Sequence, residues 1–376
     1  MIKIGTFRKQ PQGFNAFIPE PFPPKGGFAL PQKILQKNDE AARLLGKLDG
    51  ITQLLPDVDF FLFMYIRKDA ASSSQIEGTN ATMIDAIEAE AKIDADMPKD
   101  VDDILHYIKA LNYGMKRIKE FPFSLRFIRE LHKELMEGAR TTHNSYPGEF
   151  RRSQNWIGGT KPSDAMLVPP PVNEMNGSLG DIEKFIRSNG DVLPLVKAGI
   201  LHAQFETIHP FTDGNGRTGR MLVTFFLWKA ELLERPVLFL SSFFRKHQKI
   251  YYARLHNYHA GEVEEWLDFF LEGVIEISKE AIDTVKQITF LRERDTLKIQ
   301  KLDKRASESA VKFLPKLFQM PIITVKKTQE WTGFSRAGSQ KLIDRFVKMK
   351  ILHPREQEKK YSQSYMYKDY IDIFNK

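Results

Sequence analysis

The sequence predicts a mainly helical protein with one small β-hairpin and a winged helix-turn-helix at its C-terminal end. Three observations lead there. Apolar residues recur at helical spacing through most of the first 300 positions. That pattern is broken between Tyr146 and Pro171, where turn formers flank short β-prone pieces. From about Ser307 the order becomes short helix, tight turn, longer helix and strand-like wing.

Taken in order, residues 1–30 are rich in Pro, Gly and Phe, including Pro19-Glu-Pro-Phe-Pro-Pro24. Proline lacks a backbone donor and restricts its neighbour, so an extended surface segment held by Phe14, Phe17 and Phe22 is expected. Ile34, Leu35, Leu44, Leu45, Leu48 and Ile51 mark a helix over 31–55. Further helices are expected over 59–74, from Asp85 or earlier to Asp94, over 100–119, and over 125–136 with Ser124 as N-cap. The hairpin follows, Gly158 and Gly159 lying near its bend. Helices then resume over 176–188, on both sides of a polar loop near 209–220, over 247–259 and over 262–296. In the tail, Val325 to Trp331 forms a helix, Gly333 a turn, and Ser335 caps a helix to Met349. Ile351-Leu352 starts the wing, which reaches Tyr367. The expected domains are an N-terminal extended and helical region (1–100), a catalytic core (101–300) and the winged helix (301–376).

Composition is that of an ordinary globular chain: 376 residues, 42% hydrophobic and 28% charged. Without cysteine, disulfides and thiolate metal sites are excluded. No apolar run approaches the roughly 18 residues that would span a bilayer, and no basic-then-apolar leader opens the chain. A cytoplasmic protein with no membrane partner is expected. The net charge of +8 is uneven: residues 281–376 hold 21 Lys+Arg against 11 Asp+Glu, leaving the first 280 residues at 35 against 37. Any nucleic-acid contact is therefore expected in the tail.

The stretch His209-Pro-Phe-Thr-Asp-Gly-Asn-Gly-Arg-Thr-Gly-Arg220 packs an imidazole, a carboxylate, small loop residues and two guanidinium groups between two apolar runs. Gly214, Asn215 and Gly216 can aim successive N–H groups at one point, and the helix that starts there adds its positive end. Arg217 and Arg220, three apart, share a helical face beside that anion site. Such a loop suits a polyphosphate held against a histidine.

This string resembles the signature of the Fic (filamentation-induced) family, His-Pro-Phe-x-Asp/Glu-Gly-Asn-Gly-Arg-x-x-Arg, at all nine specified positions. The resemblance implies a Fic-type helical core in which His209 is the general base toward a target hydroxyl. It implies that Asp213 holds Mg²⁺, and that Gly214, Asn215, Gly216, Arg217, Thr218, Gly219 and Arg220 bind the phosphates of ATP. Gly216, where phosphorylating relatives carry Lys, points to adenylylation of a Thr, Ser or Tyr on a protein. Ser73-Ser-Gln-Ile-Glu-Gly78 is similar to the family's inhibitory pattern. It implies that Ser73, Glu77 and Gly78 form an inhibitory helix end N-terminal to the core, with Glu77 pairing Arg220. Gln154-Asn-Trp-Ile-Gly-Gly-Thr160 is similar to the family's flap, which registers a target by strand addition, with Ile157, Gly158, Gly159 and Thr160 near the nucleotide. Tyr251, Tyr252 and His259 occupy the positions near the adenine; His259 stands where some relatives have Asn. A homodimer is implied by the family alone.

Two other readings stay open. The same site in some relatives removes AMP from a modified protein. Alternatively, the basic tail, with Arg336, Lys341, Arg345 and Lys348 on its longer helix, could bind DNA.

Overall fold

The structure is a computed structural model and describes residues 3–24, 27–53, 55, 57–93, 97–140, 146–188, 192–355 and 363–375. The expected extended start is instead a hairpin. β1 (Gly5–Lys9) pairs antiparallel with β2 (Asn15–Pro19), Gly5 opposite Pro19, and Gly13 turns the chain at φ 91°. Of the prolines that argued against regular structure, Pro19 is the last residue of β2 and Pro21, Pro23 and Pro24 lie beyond it, so the ladder is intact. Phe17 and Phe22 are buried and Phe14 is half-buried.

Five helices follow: α1 (Gln32–Thr52), α2 (Val58–Ile76), α3 (Met83–Glu90), α4 (Val101–Glu120) and α5 (Leu125–Met136). Their starts are set by local chemistry. Asp57 accepts the Asp59 N–H, Thr82 and Asp85 form a capping box, and Ser124 accepts the Phe127 N–H. Asp94, the expected end of the third helix, lies outside the described residues.

Between α5 and α6 (Val172–Arg187) the anticipated hairpin is reduced to a single antiparallel bridge, Ile157 with Leu167. Gly158 and Gly159 do take positive φ (68° and 72°), but the chain beyond them bends around Asp164 rather than pairing. Asp164 accepts the Thr160 and Lys161 N–H groups and so satisfies the donors that a ladder would have used. The base of this flap joins the N-terminal hairpin, because the Phe17 N–H donates to the Val168 carbonyl at 2.8 Å.

Then come α7 (Pro194–Ile208), α8 (Asn215–Lys229), α9 (Ser241–Lys246), α10 (Gln248–His259) and the 38-residue α11 (Val263–Gln300). All fourteen residues of α7 after its N-terminal proline are buried, so it is the central helix of the bundle. Trp266 anchors α11 to it, donating to the Gly199 carbonyl at 2.8 Å.

The C-terminal unit consists of α12 (Lys304–Gln319), β3 (Ile322–Thr324), α13 (Val325–Thr332), α14 (Arg336–Lys348), β4 (His353–Pro354), β5 (Ser364–Met366) and α15 (Lys368–Phe374). Its three strands run antiparallel in the order β3-β5-β4. Gly333 closes α13 in the left-handed conformation and the Ser335 side chain accepts the Gly338 N–H to start α14. Residues 356–362, part of the expected wing, lie outside the described residues. The unit packs on α2: Phe318 stacks on Phe60, Phe374 meets Tyr65 edge-on, and the Tyr370 hydroxyl donates to the Phe60 carbonyl at 2.6 Å. One apolar core runs from α1 into this unit. Among the described residues no helix is long and apolar enough to cross a membrane.

Candidate active site

The loop between α7 and α8 begins where His209 takes the left-handed conformation, φ 49° and ψ 60°. A non-glycine residue holds that conformation only if its surroundings enforce it. The enforcement comes from the flap stem. The His209 carbonyl accepts from Arg151 Nε at 3.0 Å and Asn155 Nδ2 at 3.1 Å, and the Pro210 carbonyl accepts the Arg151 N–H at 2.8 Å. The same buried guanidinium donates to the carbonyls of Ser153 (3.1 Å), Pro170 (2.6 Å) and Ile208 (3.4 Å). Burial lowers its pKa to about 10, which leaves it charged at neutral pH. Arg151 thus fastens both stems of the flap to the loop that starts at His209.

Two further side chains close the loop. Asn215 Oδ1 accepts the Phe211 N–H and its Nδ2 donates to the Phe211 carbonyl, both at 2.8 Å. His132 Nδ1 accepts the Gly148 N–H at 2.9 Å, which puts the ring proton on Nε2, donating to the Asp213 carbonyl at 2.9 Å. The ring lies flat on Phe211, centroids 3.6 Å apart, and burial pulls its pKa down to about 4. Gly214, φ 75°, then turns into α8.

These elements border a cavity of about 490 Å³ lined by His209, Asp213, Gly214, Asn215, Gly216, Arg217, Arg220 and Glu77. His209 Nδ1 lies 3.3 Å from the Glu206 carbonyl, so Nδ1 carries the proton and Nε2 the lone pair. Burial pulls the His209 pKa to about 4, so the ring is a neutral base at pH 7. Arg217 is buried, its Nη2 near Met136 Sδ (3.6 Å) and Asp213 Oδ1 (3.8 Å), and its Nε has no partner among the described residues. A desolvated guanidinium so poorly paired is a ready anion site.

Arg220 is fully engaged. It donates to Ser73 Oγ at 2.8 Å, the Ser73 carbonyl at 3.0 Å and Glu77 Oε1 at 2.7 Å. Glu77 caps the end of α2, and Gly78, φ 95°, turns the chain away. Gln248 Nε2 and the Tyr252 hydroxyl steady this end by donating to the Ile76 carbonyl at 2.9 and 3.4 Å. A Cβ at Gly216 would lie 2.4 Å from Glu77 Oε1, so a larger residue there would displace the carboxylate from its present position. Ser73, Glu77 and the loop, separated by more than 130 positions, are brought together.

Not every residue grouped with the site on sequence reaches it. Thr218 and Gly219 sit on the far side of α8: Thr218 is wholly buried and a Cβ at Gly219 would meet Glu206 Oε1 at 2.3 Å. Ile157 and Gly158 line the cavity, whereas Gly159 and Thr160 turn to Asp164. Tyr251, Tyr252 and His259 all line it; the Tyr251 hydroxyl meets His202 Nε2 at 2.9 Å, and His259 Nε2 meets Thr207 Oγ1 at 3.0 Å. Sequence reasoning missed Arg151, Asn155 and His132. Their signal was faint: one of two adjacent arginines inside a turn-rich run, an asparagine in the same run, and a histidine on an apolar helix face.

Residues 35–116 match the family described as Fic/DOC family N-terminal, and residues 122–227 the one described as Fic/DOC family. The chain carries Fic/DOC family domains. The protein adenylyltransferase Fic of Aedes aegypti is 28% identical over 167 residues, which are 44% of this chain and 30% of that protein. Its counterpart from Drosophila virilis is 28% identical over 161 residues, 41% of this chain and 31% of that protein. The match therefore spans about a third of the length of these curated relatives. A Fic family protein from Desulfovibrio desulfuricans G20 shares the fold over 90% of this chain and 97% of its own, with TM-score 0.58 and 19% identity. Fic-1 from C. elegans does so over 68% of this chain and 73% of its own, with TM-score 0.54 and 18% identity.

Among the described residues of these Fic domains, no cluster of three or more His, Asp or Glu could cage a metal by itself. Of the three carboxylates at the cavity, Glu77 is paired with Arg220 and Glu206 is buried, whereas the Asp213 side chain is 46% exposed, with Oδ1 accepting the Gly214 N–H at 2.6 Å. That donor set fits Mg²⁺, which is commonly held by one or two carboxylates together with substrate phosphates.

Proposed function

We propose that the protein transfers AMP from ATP to a Thr, Ser or Tyr hydroxyl of a protein, releasing pyrophosphate, and that Glu77 holds it in check. The observation that carries this reading is the occupancy of Arg220 by Glu77 within the same cavity as His209. A bidentate-capable guanidinium committed to an internal carboxylate is withheld from a phosphate.

In the open state Gly214, Asn215 and Gly216 turn their N–H groups to the phosphates, and Arg217 and Arg220 pair the outer ones. His209 Nε2 takes the proton of the target hydroxyl as that oxygen bonds to the α-phosphorus and the bond to the pyrophosphate breaks. Asp213 would hold Mg²⁺, which supplies charge neutralisation on the phosphates. The flap around Ile157 and Gly158 presents the target backbone. The adenylyltransferase relatives support ATP as donor.

Incubation with ATP labelled at the α-phosphate tests this. The Glu77→Gly protein should label itself or a protein in lysate faster than wild type, and His209→Ala in that background should label nothing. No label from Glu77→Gly on any protein would overturn the reaction; equal rates for wild type and Glu77→Gly would overturn the inhibition.

For the C-terminal unit we propose a winged helix able to meet a polyanion. Arg336, Lys341 and Lys348 are exposed on α14 and Arg345 is partly so. Phosphate contacts strengthen as salt is lowered, so failure to shift duplex DNA at low ionic strength would remove that role.

A further inference from the structure

Glu206 has no part in the mechanism above, yet it sits beside its centre. It lies in the last turn of α7, its side chain 11% exposed, and it lines the cavity. Oε2 is 3.9 Å from His209 Nδ1, while Oε1 is buried without a hydrogen-bond partner among the described residues. Gly219 makes the room, since a side chain there would strike Oε1 at 2.3 Å. A buried carboxyl is normally hydrogen-bonded. One left half-paired against the proton-bearing nitrogen of a general base repeats the arrangement of base and orienting group that defines acid–base sites.

We propose that Glu206 is a positioning residue for His209, its carboxylate stabilising the imidazolium that forms when Nε2 takes the target proton. This rests on the adenylyl-transfer reading. The hydroxyl oxygen bonds to the α-phosphorus, the bond to pyrophosphate breaks, and the proton resides on Nε2. In its ionised form Glu206 holds the Nδ1 proton between its own carbonyl and carboxylate, and water later removes the proton from Nε2. The groups facing Glu206 are Arg220 from α8, which favours its ionised form, Glu77 from α2, which opposes it, and Tyr251 and Tyr252 from α10. Those facing His209 are Arg151, Glu77 and Asp213. Burial pushes the Glu206 carboxyl up to about 8. Its ionisation therefore falls in the pH range where the base must work.

The test uses the full chain. In the Glu77→Gly background, Glu206→Gln should lower kcat about tenfold or more while leaving KM for ATP within about twofold. The parent's rate should rise with pH through a midpoint below about 8, because removing Glu77 relieves the repulsion on Glu206, and Glu206→Gln should lose that rise. Gly219→Ala, which crowds Oε1, should lose rate in the same way. Independently of turnover, the ring nitrogen signals of His209 in wild type should shift with a midpoint near pH 8, and Glu206→Gln should abolish the shift. Unchanged kcat in Glu206→Gln, or His209 signals that are flat in wild type or still move in the variant, overturns the pair. If nothing transfers AMP, adenylylation fails, while the His209 signals still decide the pair.

Discussion

The loop from His209 to Gly214 is held by many hydrogen bonds to its backbone, from Arg151, Asn155, Asn215 and His132. The turn from Ser73 to Gly78 reaches the same cavity mainly through Arg220, and its Glu77 side chain is 40% exposed. Both put a titratable group beside the same helix N-terminus, but they differ in what it costs to move them. Buried backbone bonds cannot be traded for water without loss, whereas a part-exposed carboxylate exchanges its partner for water at small cost. On the proposed function these are a fixed base and a displaceable stopper, built from segments that meet at one cavity.

Acid should break the fixed side most. His132, His202, His209 and His259 are each pulled by burial to about 4, below the ordinary 6.5. The unfolded chain then binds protons that the folded one refuses, so stability present above pH 6.5 is lost as pH falls toward 4. The loss should be on the order of 2–3 kcal/mol per histidine, read from urea unfolding at pH 7 and pH 4.5; equal midpoints would refute it. Next, Arg151→Met strands several buried carbonyls and should cost on the order of 3–5 kcal/mol. It should also lower kcat far more than ATP affinity, because His209 loses its enforced backbone. Asn215→Ala, which unties Phe211 alone, should cost about 2 kcal/mol in the same unfolding assay. At the other extreme, Glu77→Gly should change stability by about 1 kcal/mol or less, because the carboxylate is 40% exposed and Arg220, though buried, keeps its bonds to Ser73. It should nevertheless raise the ATP affinity measured by calorimetry. A large loss of stability in that variant would mean that the stopper is a structural strut.

Much of this contrast was legible in the sequence because its parts are local. The caps at Ser124 and Ser335, the helix over 125–136 and the glycine turn at Gly333 follow from residues within a few positions of one another. The spacing from His209 to Arg220 likewise fixes which groups share the N-terminal turn of α8. What escaped was non-local. The partner of the His209 carbonyl is an arginine 58 positions earlier, and no periodicity marks it. The N-terminal hairpin was hidden by the prolines that end its second strand and follow it. The flap's expected ladder shrank because Asp164 offered its donors a nearer acceptor. Thr218 and Gly219 were drawn into the phosphate group by adjacency in sequence, while the helical rotation turns them to α7.

The N-terminal hairpin has a practical side. Phe17 rests against the ring of His259, centroids 5.0 Å apart, and its amide secures Val168 next to the flap. Anyone shortening the polypeptide to a minimal fragment at α1 would be cutting away the support behind His259 and the flap, both of which border the cavity. Affinity handles belong after Phe374 rather than on the hairpin or on the flap that it secures.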